Sequence, residues 1–202
     1  MNNRRTNSEK SDSFTGEEID TPDIPPITEE LFRESRWWKR TISMIEIKPI
    51  QQHQFEQAKQ FVIDVILEFW QGDLTEDDLR RLDSMSDIED ARTHYFENHG
   101  LFLVLLDDEK IVGTGAIRRL DSDICELKRM WFDKQYRGKG LGWKMAQLLF
   151  DFARQAGYQK VRLDLARAEQ QAQALKLYTQ LGFYSTERYN DGPCEVFMEK
   201  RL

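Results

Sequence analysis

Gln135-Tyr136-Arg137-Gly138-Lys139-Gly140-Leu141-Gly142 joins an apolar run to an amphipathic one, and its reading decides the fold. Before it, Leu127 to Phe132 reads as a buried strand. After it, Leu141, Met145, Leu148, Leu149, Phe152 and Ala156 recur at helical spacing, and Gly157 supplies a C-terminal stop. Glycines at alternate positions let the backbone turn tightly and approach a ligand closely. The helix start offers unpaired N–H groups and the positive end of the dipole, to which Arg137 and Lys139 add full charges. That combination suits a pyrophosphate.

The spacing excludes two common phosphate loops. A dinucleotide fingerprint starting at Gly138 needs glycine where Trp143 stands, and a Walker loop needs Ser or Thr where Gly140 follows Lys139. Gly113-Thr114-Gly115 fails the first test too, because Arg118 occupies the third glycine position; it reads as close strand packing. What fits is Gln-x-x-Gly-x-Gly from Gln135 to Gly140, with one more glycine at 142.

The chain has 202 residues, enough for one domain with a core plus an extension. A net charge of −7 argues against nonspecific binding to nucleic acid or to anionic membranes, and favours a cationic or amine-bearing substrate. The longest apolar runs, such as Leu101 to Leu106, are too short to span a bilayer, and the polar, acidic N-terminus is no secretory signal. Cys125 and Cys194 make neither a disulfide framework nor a metal set, and His53, His94 and His99 share no ligand spacing. Free thiols in a reducing cytoplasm, and no metal site, are the expectation.

Residues 1 to about 27 are polar, with Pro22, Pro25 and Pro26 at the end, and read as disordered. A short helix capped by Thr28 is expected next, carrying Trp37 and Trp38, which either dock on their own domain or meet a partner. Residues 1–43 are thus set apart from a domain of 44–202. Ile45 and Ile47 alternate with Glu46 and Lys48 as a strand. Phe55, Ala58, Phe61, Val62, Val65, Ile66, Phe69 and Trp70 trace one face of a long helix ending at Gly72. Thr75-x-x-Asp78 and Ser86-x-x-Glu89 resemble capping boxes of two short helices, the first carrying Leu79 and Leu82, the second Ile88, Ala91 and Tyr95.

Leu101–Leu106, Lys110–Ile117 and Ile124–Phe132 read as three successive antiparallel strands feeding the glycine loop. Val161, Leu163 and Leu165 alternate with Arg162 and Asp164, and a strand–helix–strand connection of this length favours a parallel pair. A helix with Ala174, Leu177, Tyr178 and Leu181 on one side follows. Strands at about Phe183–Tyr189 and Cys194–Arg201 flank Asn190-Asp191-Gly192-Pro193.

Three motifs in this order resemble the GNAT superfamily of N-acetyltransferases over about residues 44–202. Glu126-Leu127-Lys128-Arg129-Met130-Trp131-Phe132 is similar to its central strand, Gln135 to Gly142 to its acyl-CoA loop, and Ala174 to Phe183 to its late helix with a tyrosine and a Leu-Gly-Phe end. The resemblance implies a mixed α/β fold with antiparallel N-terminal strands, a splayed central parallel pair and flanking helices. It implies that acetyl-CoA, as cosubstrate, enters the splay. Gln135, Arg137, Gly138, Lys139, Gly140, Leu141 and Gly142 would hold its pyrophosphate, and backbone at Met130 and Phe132 its pantetheine arm. Many members carry asparagine seven residues before the tyrosine. This chain has Gln171 there, which keeps the amide chemistry.

Acyl transfer to an amine needs a neutral nucleophile and a protonated leaving thiolate. Tyr178 is the expected acid, against a packing role at the helix–strand interface, and Glu126 the expected base, against an exposed residue paired with Lys128 or Arg129. Arg129 could receive a substrate carboxylate, or equally an internal acid. Transfer to a small-molecule or peptide amine is the first reading, with homodimerisation left open. A CoA-binding interaction module that has lost turnover is the second.

Overall fold

The computed structural model describes residues 45–202; the expected tail, its short helix and Trp37-Trp38 lie outside the described residues. Seven strands form one mixed sheet: β1 (Ile45–Pro49), β2 (Leu101–Asp107), β3 (Lys110–Arg119), β4 (Ile124–Phe132), β5 (Lys160–Leu165), β6 (Tyr184–Ser185) and β7 (Val196–Arg201). Their order is β1-β2-β3-β4-β5-β7-β6. All neighbours are antiparallel except β4 and β5, whose connection passes through a helix and makes them parallel.

Helices cover both faces. On one lie α1 (Phe55–Trp70), α2 (Glu76–Leu82), α3 (Ser86–Glu89) and α4 (Ala91–His94); on the other lie α5 (Leu141–Gln155) and α6 (Ala172–Gln180). Strand alternation feeds two cores. Phe102, Val104 and Ala116 pack with Val62, Ile66 and Tyr95 on the α1 face, while Leu103, Leu105 and Leu127 pack with Met145, Leu149 and Tyr178 on the α5 face. Each such side chain is worth about 1.5–3 kcal/mol of burial, so losing either face would exceed the usual stability of a domain.

The local readings hold in part. Thr75 and Asp78 form the expected reciprocal box, with 3.2 Å bonds in both directions. Ser86 caps nothing: Met85, at φ +57, precedes α3 without a side-chain cap, and Asp90 interrupts the expected helix and caps α4 instead. Leu82 and Leu148 are exposed, not core. The expected strand Phe183–Tyr189 shrinks to Tyr184–Ser185, because Tyr189 and Asn190 leave the sheet to bond side chains on β4 and β5.

One irregularity positions everything that follows. Between the pairs Thr114↔Trp131 and Ala116↔Lys128, β4 holds two residues, Arg129 and Met130, against the single Gly115 of β3. This is a β-bulge, with Arg129 at φ +56, a conformation costing a residue with a Cβ roughly 1–2 kcal/mol. Gly115 makes room for it: a Cβ there would lie 2.7 Å from the Met130 sulfur. Gly113 does the same for the Phe132 ring, also at 2.7 Å. The fully buried Thr114 hydroxyl donates to the Arg129 carbonyl at 2.6 Å, satisfying an acceptor displaced from the ladder.

Candidate active site

Beyond Glu126, ahead of the bulge, β4 parts from β5. The two strands pair only at Ile124↔Lys160, Cys125↔Val161 and Glu126↔Arg162, so the β5-facing side of Leu127–Phe132 is open. β5 stays paired with β7 along its whole length. The Asp133 N–H donates to Val112 of β3, and alternation from that bond turns the Phe132 N–H and C=O and the Met130 C=O toward the gap.

The glycine loop sits at the mouth of this gap. Asp133 accepts the Gln135 N–H at 2.8 Å and starts a tight turn, and the Tyr136 hydroxyl donates to Asp107. That bond, with help from burial, pushes the Tyr136 phenol up to about 12. Gly138 (φ +72) and Gly140 (φ +76) take the left-handed conformation that glycine permits, and no side chain caps α5. Among the described residues, nothing beyond the immediate chain neighbours lies within 4 Å of the space a Cβ would fill at either glycine, which leaves the approach to the helix start open on this side. A Cβ on Gly142 would meet Leu177 at 3.3 Å and the Phe132 ring at 3.6 Å, which fastens the loop to the gap's edge. Arg137 turns inward, its Nε donating to the Phe132 carbonyl at 2.7 Å; Lys139 lies over the Tyr136 ring, 5.5 Å from its centroid. Both cations thus brace the loop.

Tyr178 of α6 is 5 % exposed and packs edge-on to Phe183, with ring centroids 5.7 Å apart. Its hydroxyl bonds no group among the described residues, yet no fully enclosed side-chain oxygen or nitrogen there lacks a partner; the oxygen therefore keeps contact with open space. Burial pushes the phenol up, so it stays protonated. Gln171 uses its side-chain oxygen locally, accepting the Ala166 N–H at 2.7 Å and the Arg167 N–H at 3.3 Å, and so ties the end of β5 to the start of α6.

The opposite face of the fork carries charge. Glu126 is wholly buried, which excludes the exposed reading. Arg118 donates to one of its oxygens at 2.6 Å and the Tyr189 hydroxyl to the other at 2.9 Å, with Lys128 at 3.8 Å. Asp164 lies two residues past the last β4–β5 pair; it accepts from the Asn190 amide at 2.8 Å, and the Cys194 thiol bonds it. Burial first, then the Asp164 charge and bond, push that thiol up to about 12. Cys125 and Cys194 are both free, as expected. Farther along, Phe69 stands edge-on to Trp131 and Trp70, and Arg167 lies over Trp70.

Arg129 resolves to the internal-acid alternative, with Asp83 and Asp87 as its partners. Arg118, Asp164, Tyr189 and Asn190 had no sequence signal as site residues. The alternation of Arg162 and Asp164 on β5 was the one hint available, while Tyr189 was hidden in an expected strand.

A family model described as the acetyltransferase (GNAT) family matches residues 61–183. N-acetyltransferase YjgM of Escherichia coli K12, described as uncharacterized, is 36% identical over 111 residues, taking in 52% of this chain and 65% of that protein. A GNAT-family acetyltransferase from Staphylococcus aureus Mu50 superposes with TM-score 0.68 at 21% identity, covering 78% of this chain and 99% of the other. The PaiA N-acetyltransferase of Thermoplasma acidophilum, solved in complex with coenzyme A, gives 0.65 at 20% identity, covering 78% and 99%. These structural likenesses carry the fold. Among the described residues, no helix is long and apolar enough to cross a membrane.

Proposed function

Because this chain belongs to the GNAT acetyltransferase family, we propose that it moves an acetyl group from acetyl-CoA to a primary amine, by direct attack while both are bound. The observation that carries this reading is the gap that opens beyond Glu126 beside an uncapped, glycine-entered helix. We take residues 44–202 as the domain responsible.

The residues fit such a cosubstrate. The open space at Gly138 and Gly140 leads to the uncapped start of α5, whose N–H groups at Gly140, Leu141 and Gly142 suit the pyrophosphate, with Gln135, Arg137 and Lys139 in the same loop and Gln171 as a further amide of the proposed site. The gap-facing Met130 C=O and Phe132 N–H suit an amide-bearing arm laid along β4 as an added strand. Acetyl-CoA supplies a thioester carbonyl carbon for the amine to attack.

Each remaining step falls to a residue of the chain. A gap-facing N–H of β4 offsets the charge growing on the carbonyl oxygen as the C–N bond forms. Tyr178, protonated and unpartnered, donates its proton to the sulfur as the C–S bond breaks. Glu126 takes the amine's surplus proton through the Tyr189 hydroxyl: Tyr189 accepts from nitrogen and passes its own proton to the carboxylate. The experiment is thiol release from acetyl-CoA across a panel of small-molecule and peptide amines. Amine-dependent release is expected; CoA binding without release across the panel would favour an interaction module.

A further inference from the structure

Five hydrogen bonds leave the Arg129 guanidinium, one for each N–H it owns. Nη1 and Nη2 donate to Asp83 at 2.6 and 2.9 Å, Nε and Nη2 to Asp87 at 2.9 and 2.5 Å, and Nη1 to the Met85 sulfur at 3.1 Å. The side chain is 7 % exposed. Asp87 is fixed in turn by the Tyr95 hydroxyl. No donor remains for a substrate carboxylate.

This buried fork grips the one β4 residue whose backbone is left-handed. Gly115 permits the bulge and the Thr114 hydroxyl satisfies its carbonyl, but neither selects it over a straight ladder. Arg129 does. In a regular strand its side chain would point to the face opposite Lys128; in the bulge it shares that face and reaches the two aspartates. Releasing the bulge would therefore strand a buried cation and two carboxylates, a heavy penalty.

We infer that Arg129, held by Asp83 and Asp87, is a positioning residue that fixes the β4 bulge and thereby aims the Met130 and Phe132 backbone groups at the acyl-carrying arm of the cosubstrate. The inference rests on the acyl-CoA reading and adds a division of labour. The 83–87 segment governs the arm, and the glycine loop governs the nucleotide.

The test uses two ligands on the full chain, CoA and adenosine 3′-phosphate 5′-diphosphate, which lacks the arm. Calorimetric affinities are measured for the wild type, Asp83→Asn and Arg129→Lys, each first shown by its melting curve to be folded. Asp83 is 38 % exposed and Asp87 still neutralises Arg129 in Asp83→Asn, so that variant carries the test if Arg129→Lys does not fold. CoA should weaken by about tenfold, the equivalent of one or two lost hydrogen bonds, while the nucleotide stays within about twofold. A clamp that serves stability alone would leave the ratio of the two affinities unchanged, and that result overturns the inference. Parallel loss of both ligands overturns it too. A wild type that binds neither ligand refutes the acyl-CoA reading itself, and the inference with it.

Discussion

Replacing Gly140 with valine tests the loop assignment most directly. Gly140 sits at φ +76, ψ 0, immediately before α5, with open space where a Cβ would project. A Cβ there meets none of the described residues within 4 Å, so the main cost is conformational: about 1–2 kcal/mol for a left-handed residue with a Cβ, and more for a β-branched one. At roughly 2–4 °C per kcal/mol for a chain of this size, the melting temperature should fall by only a few degrees. Binding should suffer far more. If the loop relaxes to negative φ, the N–H groups at the helix start no longer converge, and each bond to a charged phosphate is worth about 1.5–3 kcal/mol. Losing one or two gives about 10- to 10⁴-fold weaker CoA binding, readable by titration calorimetry. Gly140→Asn separates the causes, because asparagine accepts left-handed φ yet still places a side chain in the approach. Loss in Val alone indicates the backbone, and loss in both indicates occupied space. Unchanged CoA affinity in a folded Gly140→Val protein would refute the assignment of this loop.

Three further expectations follow from the site. Tyr178→Phe keeps the ring against Phe183 and removes an unpartnered hydroxyl, so stability and CoA affinity should hold while kcat drops about 10- to 10²-fold; equal kcat, with chemistry rate-limiting, would make it a packing residue. Glu126→Gln leaves Arg118 without its buried countercharge, so the melting temperature should fall along with kcat/KM, most where the amine is protonated; a loss under about threefold at every pH would remove Glu126 from the proton path. Asp83 and Asp87 are raised by burial, but Arg129 overrides this and holds both below the ordinary 3.8. Their stabilisation is thus complete above that value and lost as pH falls through the lower folded pKa. Melting temperature should decline below about pH 4, and Asp83→Asn should flatten the slope; parallel curves would show that the clamp does not set the acid limit.

The fold was legible where periodicity is long. Leu101–Leu106 and the strand after Ile124 announced themselves by apolar runs, α5 by its repeat, and the parallel pair by the connection length. The loop was legible because three alternate glycines have few other uses. The charged face of the fork was not. The burial of Glu126 could not be read, because nothing in its neighbourhood predicts that Arg118, eight residues upstream, and Tyr189, sixty-three downstream, close over it. Asp83 and Asp87 fall in a polar stretch with no period, and only the tertiary approach of that stretch to Arg129 gives them a role. A bulge cannot be seen in a one-strand pattern either, since it exists only in the count of residues against a partner.

That count has an evolutionary edge. Strand side chains change face every residue, so an indel usually inverts everything beyond it. Here it would not. With Arg129 excised, Lys128 would precede Met130 directly, and Met130, Trp131 and Phe132 would each keep the face they now occupy. Both cores would keep their strand residues, while Asp83 and Asp87 would lose the cation between them. A single codon therefore separates this strand from one whose side chains all keep their faces but whose aspartate pair has nothing left to hold.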